Sequence, residues 1–150
     1  LNNRTVGEII DILFWLLRAL RKLPRFKKNL LYRGTTTKVD PSQYTLGNIV
    51  TWHRLASTTQ ELNVTQQFIQ NKTTGVTSGT VFVLHSIWGY DMQPFSFFPK
   101  QEKEIILEPE VQFKVEGIVK TDSLIVCILK KMEPCPLLLF DLLPPQFTGQ

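Results

Sequence analysis

Apolar residues near the start of the chain recur at three- and four-residue steps: Ile9, Leu13, Leu16 and Leu20, with Ile12 and Leu17 widening the stripe. That period predicts an amphipathic helix with one broad buried face. Thr5 followed three residues later by Glu8 is a capping-box pattern, in which hydroxyl and carboxylate satisfy the first free amides. Pro24 ends the helix, because its ring lacks an N–H and collides with the preceding turn. The run from Ile9 to Leu20 carries Asp11 and Arg18 and falls short of the roughly 20 apolar residues that cross a bilayer, so it reads as buried helix.

From Leu30 onward the pattern changes to short runs of β-type residues separated by turn formers: "LLYRG", "IVTWHRLAST", "TVFVLHSI", "KEIIL", "VQFKVEGIV" and "SLIVCIL". Between the second and third, "QELNVTQQFIQNK" predicts a helix with Leu62, Gln66 and Ile69 near one face and Thr59 as its N-cap. "TTGVTSG" then reads as a flexible loop, and "WGYDMQPFSFFPKQ" as a shaped, functional one. Helix, strand, strand, helix and then mostly strands is an α+β order, without the regular alternation that builds a doubly wound parallel sheet.

At 150 residues the chain fits a single domain, with 1–29 as an N-terminal helix and basic linker and 30–150 as a mainly β core. Opening at Leu1 rather than Met, it reads as a domain excised from a longer precursor. Hydrophobic residues at 43% and charged residues at 20% exclude a disordered chain. The net charge of +4 favours anionic partners, among them nucleic acid, phospholipid head groups and a dinucleotide's pyrophosphate. Much of the excess lies in Arg18, Arg21, Lys22, Arg25, Lys27 and Lys28, where cations near a helix end oppose the negative pole of its dipole. Cys127 and Cys135 lack further ligands at metal-site spacing, and a bridge between them stays open. Sequons at Asn3, Asn63 and Asn71 tilt the expected residence toward an extracellular or lumenal space.

Three places put polar groups where strand core is expected. Arg33 in "LYRG" offers a fork of donors for phosphate or carboxylate, and Gly34 lets a ligand approach the backbone. In "LASTTQ" the period-two rule puts Ser57 and Thr59 on one side of a strand and Thr58 on the other. If that segment is extended, the same rule sets Glu102 and Glu104 on one face, where mutual repulsion separates their roles. His53 and His85 lie far from these acids along the chain and read as structural, as do Trp15, Trp52 and Trp88. No Gly-x-Gly-x-x-Gly or Walker loop is present.

The order "YRG", then "W..L.STT", then "FSFFPKQEKEIIL" resembles the R-S-E class of mono-ADP-ribosyltransferases, the cholera-toxin-like and vertebrate ecto-enzyme group, over roughly Leu30 to Val119. The resemblance implies helices packed on a split β-sandwich around an NAD cleft, and transfer of ADP-ribose from NAD to arginine side chains of proteins, with NAD hydrolysis as a side reaction. It implies no metal. Arg33 would steady the phosphates of NAD, and Gly34 would offer backbone contacts near the nicotinamide. Ser57 would hold the catalytic Glu104 and the ribose, with Thr59 in support. Glu102 would be the upstream acid that marks arginine-directed members, and Phe95 to Gln101 the loop that meets the protein substrate. The sequence departs from the family pattern in "STT" for the more usual Ser-Thr-Ser, in Leu55 at an often aromatic position, and in a slightly longer loop before Glu104. The alternative is a non-catalytic module on the same fold that binds nucleic acid or a protein; the distance between the basic run and the aromatic residues makes nucleic acid the weaker partner.

Overall fold

The computed structural model describes residues 3–70, 73–97 and 103–133. Helix α1 (Asn3–Leu20) leads into strand β1 (Arg25–Thr35), followed by β2 (Ile49–Trp52), β3 (Ala56–Thr59) and helix α2 (Leu62–Ile69). Strand β4 (Gly79–Asp91), a 3₁₀ turn (Gln93–Phe95), β5 (Glu104–Leu107), β6 (Val111–Lys120) and β7 (Leu124–Lys131) complete the order. The α+β class expected from the pattern is the class found.

The strands form one mixed sheet in the order β1-β3-β5-β4-β7-β6-β2, with a further pairing of β1 to β4. Strand β4 organises it. Along one edge it pairs β1 from Arg25↔Tyr90 to Thr35↔Thr80. Along the other it pairs β7 in parallel as far as His85, then β5 at Tyr90 and Asp91. Between these halves Ser86 takes a φ of 54°, a left-handed conformation that side-chain-bearing residues seldom adopt. The sheet therefore splits: β1, β3, β5 and the end of β4 close a ring of pairings, while β7, β6 and β2 form an open wing.

Alternation builds the core between them. Phe113 and Val115 of β6 and Cys127 and Leu129 of β7 are fully buried with Leu31, Leu84 and Ile105. Burying a side chain the size of Phe113 stabilises by about 1.5–3 kcal/mol. The Trp52 ring packs 4.9 Å from that of Phe113 and 5.1 Å from that of Phe82, and its Nε1 donates to the Tyr44 hydroxyl, so this half-buried tryptophan packs against the core. Burial pushes the Cys127 thiol up to about 11. Cys135 lies outside the described residues.

Several local expectations change. The run from 49 to 58 is two strands, because the chain turns at His53–Leu55; β2 then pairs β6 while β3 pairs β1 and β5. Strand β1 begins at Arg25, inside the basic stretch, since its backbone zips onto β4 while the Arg25 and Lys27 side chains stay exposed. Helix α1 already starts at Asn3, ahead of Thr5, so the capping box does not mark its first turn. The apolar stripe of α1 is not buried. Ile9, Ile12, Leu13 and Leu16 are 43–68% exposed, and only Leu20 reaches the core. It is α2 that packs on β1 and β3. Among the described residues no helix is long and apolar enough to cross a membrane.

Candidate active site

Where β1, β3 and β5 run side by side, a cleft of about 270 Å³ opens between their ends and α2. Ligand pockets are usually roughly 300–1,000 Å³, so the cleft has room for part of a dinucleotide. The register that builds it is a row across three strands, Tyr32↔Thr59 and Thr59↔Glu104. Arg33 and Gly34 follow Tyr32 along one wall, Ser57 to Thr59 form the floor with Glu104, and Val64 and Thr65 close the side from α2.

Ser57 joins the charged members. Its Oγ donates to Glu104 Oε1 at 2.5 Å, a diagonal contact made possible because Ser57 lies opposite Ile106, two residues on. Its carbonyl accepts from Arg33 Nη1 at 2.7 Å. One serine thus ties a cation from β1 to a carboxylate from β5. Burial lowers the pKa of Arg33 from its ordinary value, yet a guanidinium stays charged at neutral pH. A cation, hydroxyls and a carboxylate lining one cleft are the donor and acceptor set that a phosphate-bearing sugar needs.

The neighbouring threonines have structural duties. Thr58 Oγ1 donates to the Ile105 carbonyl at 2.7 Å, locking β3 to β5. Thr59 is not the cap of α2: Glu61 occupies that position, and its N–H donates to Thr59 Oγ1 at 3.1 Å. Gly34 also answers to packing. A Cβ there would lie 2.8 Å from the Thr65 carbonyl oxygen and 3.0 Å from Ile69 Cγ2, so glycine lets α2 sit directly on β1. Sequence reading supplied only a ligand-side reason for that residue.

Tyr32, Val64 and Thr65 were missed by sequence reading. An ordinary helical turn such as "NVTQQ" carries no signal that it will roof a cleft. Thr65 is fully buried, and its Oγ1 has no hydrogen-bond partner among the described residues. Leaving a buried hydroxyl unpaired costs about 1–3 kcal/mol. Thr65→Val, which keeps the shape, is therefore expected to raise the melting temperature by about 3 °C, corresponding to about 1 kcal/mol. A lower melting temperature in a thermal-shift assay would mean that the hydroxyl has a partner.

Other candidates fall elsewhere. His53 pairs with Glu110 at 2.9 Å on an exposed turn, and His85 sits in β4 between Leu30 and Lys130. Neither lines the cleft. Trp15 and Trp88 are exposed beside Arg18 and Arg25. Phe95 and Phe97, in the expected substrate loop, are exposed, Phe97 almost completely at 97%. Glu102 lies outside the described residues, and Lys103 between it and Glu104 has a left-handed φ of 40°, so the backbone is not extended there and strand alternation does not relate the two acids.

Solved structures share this fold. Vis of Vibrio splendidus, an ADP-ribosyltransferase seen in complex with agmatine, superposes with a TM-score of 0.62 at 21% identity, over 77% of this chain and 54% of its own. Exoenzyme S of Pseudomonas aeruginosa, seen with human 14-3-3 protein beta and Carba-NAD, gives 0.60 at 18% identity, over 85% and 64%. The Salmonella SpvB domain gives 0.56 at 18%, over 77% and 68%. The chain thus spans about half the length of the Vis structures. No curated protein matches the sequence. The family profile of NAD:arginine ADP-ribosyltransferases matches residues 9–134, most of the chain, and the protein belongs to that family.

Proposed function

We propose that the chain carries the catalytic centre of an NAD-dependent mono-ADP-ribosyltransferase that modifies arginine side chains of proteins, with slow NAD hydrolysis when no acceptor is present. The observation that carries this reading is the linked set Arg33–Ser57–Glu104 in one cleft. Its support in the family is the profile match, and agmatine, bound to Vis, is a small guanidine.

Breaking the bond between nicotinamide and ribose develops positive charge on the sugar, as in other glycosyl transfers. Glu104 accepts a hydrogen bond from a ribose hydroxyl and places its negative charge near the developing cation. Ser57, already bonded to that carboxylate, keeps it from turning away. Arg33 meets the phosphates, and Gly34 and Thr59 complete the wall around the sugar and nicotinamide. The incoming guanidinium must lose a proton as its nitrogen attacks, and Glu102 is assigned to orient it and take that proton. The exposed Phe95 and Phe97 form part of the surface that receives the protein substrate.

Incubation with NAD and agmatine tests the proposal. Released nicotinamide together with ADP-ribosylated agmatine is the expected result. Nicotinamide without modified agmatine would leave a glycohydrolase. A salt-sensitive shift on nucleic acid with no nicotinamide at all would favour the binding-module alternative.

A further inference from the structure

Immediately before Glu104, Lys103 takes a φ of 40°, a left-handed backbone conformation that side-chain-bearing residues rarely adopt unless their surroundings hold them there. Its Nζ forms an ion pair with Oε1 of Glu61, 42 residues away and at the head of α2. The N–H of Glu61 donates to Thr59 Oγ1, and Thr59 pairs across the sheet with Glu104. Contacts and chain therefore close a small ring running Thr59, Glu61, Lys103, Glu104. On the far side, the Glu104 carbonyl accepts the N–H of Met92 at 3.0 Å.

We propose that the Lys103–Glu61 ion pair is a latch that positions Glu104, joining the strand that presents this carboxylate to the helix that walls the cleft. Neither partner touches the reacting atoms; both are positioning residues, and their role in turnover rests on the function proposed above. Without the pair, the left-handed turn at Lys103 loses its tether, and Glu104 keeps its bond to Ser57 only part of the time. The pair also occupies a lysine ammonium that stands next in sequence to an acid meant for a guanidinium. Both side chains are 40% exposed, so salt screens the contact and its effect is modest.

The test compares Glu61→Gln, Lys103→Gln, the double variant and Lys103→Arg with the wild-type chain. In NAD turnover each Gln variant is expected to lower kcat about two- to fivefold, the scale of an exposed ion pair, with KM for NAD within about twofold. The double variant should be no worse than the poorer single one, since one contact is removed once. Lys103→Arg keeps the cation and should keep wild-type turnover. Raised ionic strength should narrow the gap between wild type and the Gln variants. Losses that multiply in the double variant, singles equal to wild type, or an Arg variant as poor as Gln would each overturn the latch. Hydrogen exchange at the Met92 amide reads the same latch without turnover: both Gln variants should exchange it about two- to fivefold faster, and an unchanged rate overturns the proposal. A wild-type chain that does not cleave NAD would sink the functional reading, while the exchange experiment still decides the latch.

Discussion

Glu104→Gln is expected to cut nicotinamide release by about 10²–10³-fold, the scale on which removal of a group aimed at developing charge is felt. The amide keeps the size of the side chain while removing its negative charge and exchanging one acceptor oxygen for a donor NH2, so the loss should fall on kcat, with KM for NAD nearly unchanged. Ser57→Ala makes the companion measurement. The Ser57 Oγ bond to Glu104 is the contact that aims the carboxylate, and hydrogen bonds to charged groups contribute about 1.5–3 kcal/mol, or roughly 10- to 150-fold in rate. Because Ser57 acts through Glu104, the double variant should be no slower than Glu104→Gln alone. Ser57 is exposed and Glu104 only half-buried, so neither change should disturb folding. Full turnover in Glu104→Gln would remove the carboxylate from the chemistry; full turnover in Ser57→Ala would mean that the short contact does nothing for the rate.

Much of the fold was legible because burial leaves a local period. Val111, Phe113 and Val115 alternate with polar neighbours in β6. Helix α2 forms where the spacing puts it, but of the expected face only Ile69 is buried: α2 buries Val64, Thr65 and Ile69, while Leu62 and Gln66 are exposed. What stayed hidden depends on partners distant in sequence. Nothing between Trp52 and Ala56 announces that one apolar run will serve opposite ends of the sheet; that follows from pairing with Phe113 on one side and Leu107 on the other. The stripe on α1 predicts amphipathicity correctly and burial wrongly, since periodicity states which face is apolar but not whether anything lies against it. For the site, grouping Arg33, Ser57 and Glu104 came from the order of short motifs and a family resemblance, not from spacing. Their meeting is produced by the row from Tyr32 through Thr59 to Glu104. The Thr65 hydroxyl, without a partner among the described residues, is buried where α2 docks on Gly34, and Glu61 meets Lys103 from 42 residues away; no local pattern encodes either.

Glu102→Gln should separate the two halves of the proposed reaction. Cleaving NAD needs charge stabilisation at the sugar, a task assigned to Glu104, whereas joining ADP-ribose to arginine also needs an acceptor relieved of its proton. A guanidinium holds that proton far above neutral pH, so it becomes nucleophilic only if a nearby carboxylate takes the proton as the bond forms. Positioned general bases contribute about 10²–10⁴-fold, and modification of agmatine should fall by that factor in Glu102→Gln. Nicotinamide release without acceptor should stay within about twofold of wild type, since an excess of water can replace the guanidine. The two acids differ in kind if this holds: the Glu104 variant loses both products, the Glu102 variant only the transferred one. Equal losses of nicotinamide release and agmatine modification in Glu102→Gln would place both carboxylates on bond cleavage, and arginine would then have to be selected by some other group at the mouth of the cleft.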